Sequence, residues 1–87
     1  MSEMTGLPVK VTISYCAECG YEEHTVALAR ALMIRFQHRL SSIEIFPADS
    51  GAFDVRVGGD LVHSMYRDGG FPDCATIARA VEAKLGG

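Results

Sequence analysis

The sequence predicts an α/β fold, a two-layer sandwich with two helices on one face of a four-stranded mixed sheet. Three observations carry that expectation. Apolar residues alternate with polar ones in several short segments, three- and four-residue spacing governs two others, and a Gly58-Gly59 pair joins two alternating segments. The order is strand, helix, strand, strand, strand, helix. With 87 residues the chain is read as a single domain, 1-87, with a flexible N-terminus over 1-7. A domain this small buries only about 60 to 65 percent of the surface its unfolded chain exposes, so its core is shallow.

Residues 9–15, VKVTISY, place Val9, Val11, Ile13 and Tyr15 on one side and Lys10, Thr12 and Ser14 on the other, a strand with one wet face. From Tyr21 to about His38 a helix is expected, with Val26, Ala29, Met33 and Phe36 on its apolar stripe and Leu28, Ala31 and Leu32 widening it. Glu23, Arg30 and Gln37 mark its polar side. SIEIF then gives a short second strand, with Ile43 and Ile45 on one face and Glu44 opposite. A strand, a helix and a strand in succession imply a parallel crossover. After the turn-like PADSG, a third strand sets Phe53, Val55 and Val57 inward and Asp54 and Arg56 outward. Gly58-Gly59 can adopt the positive φ of a tight hairpin, so residues 61–65 return antiparallel. YRDGGFP reads as a loop. Asp73 can then cap a last helix whose stripe is Ile77, Ala78, Val81 and Leu85. The wet strand faces put both helices on the same side of the sheet.

Apolar residues at 48% and charged residues at 22% fit a globular protein and exclude a disordered one. Eight Lys and Arg are scattered singly in a chain of formal charge −3, so no nucleic-acid binding is expected. No apolar run reaches the length of a membrane span, and MSEMTGLP lacks the positive flank and apolar segment of a signal peptide. A cytoplasmic protein without membrane association is expected. There, three cysteines are better suited to chemistry than to structural disulfides.

Cys16 ends the first strand and Cys19 falls at or near the first turn of the following helix. That spacing lets two sulfurs approach, and the helix start stabilises a thiolate. Gly20 allows a tight turn beside them, while Glu18 opposes ionisation through like charge. Three readings follow: a redox couple, half of a metal site, or two small buried side chains. Zinc needs three or four ligands, and beyond the pair only His24, His38, His63 and Cys74 are available, with no second close cluster. A dimer could supply two pairs to one zinc. No phosphate-cradling glycine motif is present and no cofactor is required. Cys74 reads as a small filler and His24 as a surface histidine able to lean toward the sulfurs. His63 is assigned no catalytic role because its face is ambiguous. Phe71 reads as a plug under its loop or part of an apolar rim, and the isomer before Pro47 is not legible.

The strand ending in Tyr15, then Cys16, Cys19, Gly20 and Tyr21, and later GAFDVRVGGDLVHS, residues 51–64, with its glycine-rich loop and closing helix, resemble the selenoprotein W-like family. These proteins are also grouped as SelT/SelW/SelH or Rdx proteins. The resemblance spans nearly the whole chain and implies a thioredoxin-like fold. It also implies a thiol-based redox role acting on protein thiols or glutathione, with Cys16 and Cys19 as the functional pair; Gly20, Tyr21, His24 and Phe71 are taken as supporting residues around it. In selenium-containing relatives, selenocysteine sits where this chain has Cys19. Helix-end electrostatics and the thioredoxin analogy favour Cys16 as the exposed, attacking sulfur, whereas the selenium position favours Cys19.

The expected activity is thiol-disulfide exchange through the Cys16/Cys19 dithiol. Two alternatives stand beside it: a redox-sensitive protein-binding module without turnover, and a dimer-bridging zinc site.

Overall fold

The structure, a computed structural model, describes residues 8–86, and the stretch expected to be flexible, 1–7, lies outside the described residues. Its strands are β1 (Val9–Cys16), β2 (Leu40–Ala48), β3 (Phe53–Val57) and β4 (Asp60–Ser64), in the sheet order β2-β1-β3-β4. β1 pairs parallel with β2 and antiparallel with β3, and β3 pairs antiparallel with β4. The helices are α1 (Glu22–Phe36), a single turn α2 (Met65–Asp68), and α3 (Cys74–Lys84).

One core joins these elements. Val9, Val11 and Ile13 of β1 and Phe53, Val55 and Val57 of β3 are buried against Leu28, Leu32 and Phe36 of α1 and Ile77, Ala78 and Val81 of α3. Both long helices therefore cover the same face, as expected from the alternation. An Arg35 to Glu82 ion pair at 2.6 Å links them at the surface, where such pairs contribute little. The hairpin also forms as expected, with φ of 59° at Gly58 and 91° at Gly59.

The phase of α1 differs from the sequence expectation. Its buried stripe is Thr25, Leu28, Ala29, Leu32 and Phe36, while Val26 and Met33 are 61% and 59% exposed. Val26 and Met33 fall at helical steps from Glu23, Arg30 and Gln37, on the face that those polar residues occupy. Apolar residues on both sides of the helix made two phases compatible with the spacing. The helix also stops at Phe36, because Gln37 takes a φ of 52° and residues Gln37–Arg39 continue as a 3-10 turn.

β2 is longer than SIEIF, since its pairing with β1 runs on to Cys16 and Ala48 and takes in Pro47 on the sheet edge. The peptide before Pro47 is trans. β4 starts one residue earlier and ends one residue earlier than expected. A bulge between Val55 and Arg56 in the β3 pairing sets His63 opposite Val55 and Leu61 opposite Arg56. This shift sets His63 on the helix-covered face with Val55 and Ser64 on the opposite face with Asp54, and each is 7% exposed.

Met65, expected to end the fourth strand, and Tyr66–Asp68, read as loop, are instead held as α2. The Asp68 carboxylate accepts from the Ser64 N–H at 3.0 Å and from Arg67 at 2.8 Å. The Tyr66 hydroxyl donates to the Ser50 carbonyl. His63 Nε2 lies 2.8 Å from the Gly70 carbonyl, and because a carbonyl only accepts, that nitrogen carries the proton. These contacts anchor the glycine loop that carries Phe71. Asp73 occupies the N-cap position of α3, but its side chain makes no capping bond.

Two predictions follow from these placements. Leu32→Ala removes a side chain that is 1% exposed and should lower unfolding free energy by about 2 to 5 kcal/mol in urea titrations. Met33→Ala next to it should change stability by less than about 0.5 kcal/mol; equal losses at the two sites would contradict the observed phase. The second concerns Asp68, whose pKa is lowered from 3.8 to about 2 by Arg67 first and the Ser64 N–H second. A carboxylate depressed in the folded state stabilises above its unfolded pKa and loses that contribution as pH falls toward the folded value. Asp68→Asn should thus lower the urea midpoint at pH 7, and the gap to the parent should close between about pH 4 and pH 2. A gap that persists at the acid end would show that the substitution acts otherwise.

Candidate functional site

β1 carries Cys16 at its C-terminal end, beside the start of antiparallel β3. Its N–H donates to the Ala52 carbonyl at 2.7 Å, and the Ala17 N–H donates to Ala48 at 3.1 Å. The chain then leaves the sheet through a turn in which the Gly20 N–H donates to Ala17 at 3.2 Å and the Tyr21 N–H to Cys16 at 3.4 Å. Gly20 has a φ of 78°, and no atom lies within 4 Å of where its Cβ would stand. Backbone conformation, and not crowding, makes glycine the suitable residue there. The turn closes Cys16 and Cys19 into a disulfide with Cα atoms 5.3 Å apart.

Two sequence expectations change at this point. Cys19 lies outside the first turn of a helix, because α1 begins only at Glu22 and residues 17–21 form the turn. The exposure of the sulfur-bearing residues is also the reverse of the helix-end argument: Cys16 is 0% exposed and Cys19 faces solvent. Cys16 is still a residue of the central strand, held by backbone hydrogen bonds, whereas Cys19 lies on the outside of the turn.

Thr25 strengthens the start of α1 by donating both its N–H, at 3.1 Å, and its hydroxyl, at 3.0 Å, to the Tyr21 carbonyl. Glu22 and Glu23 occupy the first turn, where they complement the helix dipole. With Glu18 they make the chain on either side of Cys19 acidic in sequence, and no Lys or Arg occurs between Lys10 and Arg30.

Tyr21, His24 and Phe71 are brought together. Phe71 meets Tyr21 edge-on with ring centroids 4.9 Å apart, and it meets buried Phe53 in the same way at 5.1 Å. His24 stacks on Phe71 at 3.6 Å with the rings 5° from parallel. That stacking, not a lean toward the sulfurs, is the observed contact of His24. Phe71 plugs the loop onto the core, so the glycine-rich segment is held beside the start of α1.

A pocket of 90 Å³ borders this cluster, lined by His24, Leu28, Phe53, Phe71 and Cys74. Cys74, read from the sequence as a filler, is exposed and free. Sequence reasoning missed Phe53, His63 and Asp68 as supports of the site. The inward phase of Phe53 was legible but nothing tied it to Phe71, and the bulge concealed the phase of His63. Among the described residues no three His, Cys, Asp or Glu side chains gather to hold a metal, so a zinc would need ligands from a second copy. Among them, too, no helix is long and apolar enough to cross a membrane.

This architecture recurs in solved structures. A protein from Bordetella parapertussis superposes with a TM-score of 0.84 at 26% identity, covering 90% of this chain and 99% of that one. A selenoprotein W-related protein from Vibrio cholerae superposes with a TM-score of 0.85 at 20% identity, covering 90% and 98%. The fold is a thioredoxin-like α/β sandwich with a four-stranded mixed sheet. Among sequence relatives, selenoprotein W of Danio rerio is 33% identical over 85 residues, covering 92% of this chain and 99% of its own. Migration and invasion enhancer 1 of Bos taurus is 32% identical over 82 residues, covering 94% of this chain and 70% of its own. The sequence profile of the Rdx family matches residues 10–83, and with both halves of the pattern in place the chain belongs to that selenoprotein W-like family, with cysteine in the usual selenocysteine position.

Proposed function

We propose that the protein is a thiol-disulfide oxidoreductase in which Cys19 attacks and Cys16 resolves. The observation that carries this reading is the asymmetry of the pair: Cys19 faces solvent, and Cys16 is wholly buried. An incoming disulfide can reach only the first. The Cys19 thiolate attacks one sulfur of a substrate disulfide, forms a mixed disulfide, and releases the other half as a thiolate with the bonding electron pair. Cys16 then attacks Cys19, closes the intramolecular disulfide, and releases the second thiol. An external thiol reductant restores the dithiol. A reducing, cytoplasmic setting belongs to this proposal, because it keeps the resting pair reduced.

The selenium position of the family supports the same assignment, since the more reactive chalcogen is useful at the sulfur that meets substrate. Protein disulfides and glutathione are both chemically suitable partners. Glu18, Glu22 and Glu23 favour the former, because glutathione disulfide is anionic and meets like charge.

Exposed Val26, Met33 and Ile34 on α1 support the second reading, a protein-binding module whose interface responds to the state of the pair. That reading requires no turnover, so a reductant-driven cycle of substrate reduction separates the two.

Trapping tests the assignment of roles. Cys16→Ser should accumulate a stable adduct on Cys19 with a disulfide substrate, read by intact and peptide mass, whereas Cys19→Ser should accumulate none on Cys16. The opposite pattern would reverse the roles. Charge selection is tested with small disulfides: cationic cystamine should react with Cys19 faster than glutathione disulfide does, and the advantage should shrink as salt screens the carboxylates. A salt-independent ratio would remove the electrostatic basis of the preference.

A further inference from the structure

The buried side-chain oxygens and nitrogens of the described residues have hydrogen-bond partners with one exception, Asp54 Oδ1. A carboxylate oxygen withdrawn from water without a partner is unfavourable, and such an atom calls for a reason. Its position in the sheet supplies one. Asp54 lies directly opposite Ser14 of β1 and Ser64 of β4. Side chains alternate along a strand, so Ser14, Asp54 and Cys16 belong to one face, the face opposite the helices. Cys16 is two residues beyond Ser14 and donates its N–H to Ala52, two residues before Asp54. Asp54 and Cys16 are therefore diagonal cross-strand neighbours, roughly 7 to 8 Å apart at Cα and closer at Cβ.

Resting on the exchange reaction proposed above, we infer that Asp54 is the proton acceptor for Cys16 when Cys16 resolves the mixed disulfide.

The chemistry of the missing partner fits both redox states. In the disulfide, Cys16 carries no proton and Asp54 Oδ1 has nothing to accept. In the dithiol, the Cys16 S–H is a donor on the same face. Cys16 is buried, so water has poor access to its proton, and a fixed base is needed where solvent cannot serve. In the resolving step the Cys16 sulfur attacks Cys19, and its proton passes to the Asp54 carboxylate. The Cys16–Cys19 bond forms as the bond between Cys19 and the substrate sulfur breaks, and the substrate leaves as a thiolate with that electron pair. Asp54 then returns its proton to water.

The charged groups facing Asp54 are limited. Ser14 and Ser64 flank it across the sheet, and Arg56 lies two positions along its own strand on the same face. Glu44 lies on this face farther off, across Thr12, which itself stands opposite Arg56. From α2, Arg67 is close enough for Asp54 to raise its pKa as a minor influence, but its guanidinium is engaged by Asp68. Asp54 is thus left with an oxygen free to take a proton.

The test uses dithiodipyridine, a neutral chromogenic disulfide, on reduced protein in a Cys74→Ser background. Each protein releases two thiopyridone molecules: the first reports attack by Cys19 and the second resolution by Cys16. Asp54→Asn should leave the first release within about twofold of the parent. It should slow the second by about 100-fold near pH 7, the lower end of a general base's usual contribution. The deficit should shrink as pH rises past about 8.5, where the thiol ionises without help. A second release within threefold of the parent, or one slowed by the same factor at every pH, overturns the inference and leaves Asp54 a structural residue. Asp54→Ser, smaller and also neutral, provides the same comparison if the asparagine variant does not fold. A first release that survives Cys19→Ser overturns the underlying assignment of roles, a result separate from an unslowed second release in Asp54→Asn.

Discussion

The hydrogen bonding of β1 on both of its edges is the constraint on which the rest of the molecule depends. A strand pairing parallel on one side and antiparallel on the other occupies the middle of the sheet, and its inward residues Val9, Val11 and Ile13 are buried. Its end is as firmly held as its middle, because the Cys16 N–H still reaches Ala52 and the next N–H still reaches Ala48. The disulfide therefore joins a fixed sulfur to a turn. The difference between the two cysteines arises from this topology, one belonging to the sheet and the other to the chain leaving it.

The turn is steadied from the opposite side of the site by aromatic contact. Phe71 touches Tyr21 at the start of α1, His24 one turn later, and Phe53 in the core. Aromatic pairs of this kind contribute about 0.5 to 1.5 kcal/mol each beyond the area they bury. The loop bearing Phe71 contains two glycines at positive φ, Gly69 and Gly70, and would gain considerable freedom if unfastened. His63 holds the Gly70 carbonyl and Asp68 holds the strand end from which the loop departs. A short polar relay at the end of β4 thus fixes the loop that carries this ring.

Much of this was legible in the sequence, for identifiable reasons. β1 and β3 alternate with charged or hydroxyl residues on their wet side, so period and phase were both determined, and the paired glycines marked the hairpin from β3 to β4. The cysteine pair at a strand end marked the candidate site. The phase of α1 was not legible, because Val26, Met33 and Ile34 are apolar yet exposed, and spacing alone cannot distinguish a buried stripe from an apolar surface. The phase of β4 was hidden by a bulge that depends on the partner strand. Which sulfur faces water was hidden as well, since it rests on a chain direction set only once α1 begins at Glu22. These failures share a cause: each depends on a contact between segments distant in sequence.

The site's electrostatics differ from what a reactive thiolate ordinarily receives. No cationic side chain lies near Cys19 in sequence, and Glu18, Glu22 and Glu23 disfavour a second negative charge beside them. The helix start, displaced by several residues from Cys19, offers less compensation than a cysteine within the first turn would receive, because the dipole's influence falls off within about one turn. A selenol, being intrinsically more acidic than a thiol, depends less on such compensation.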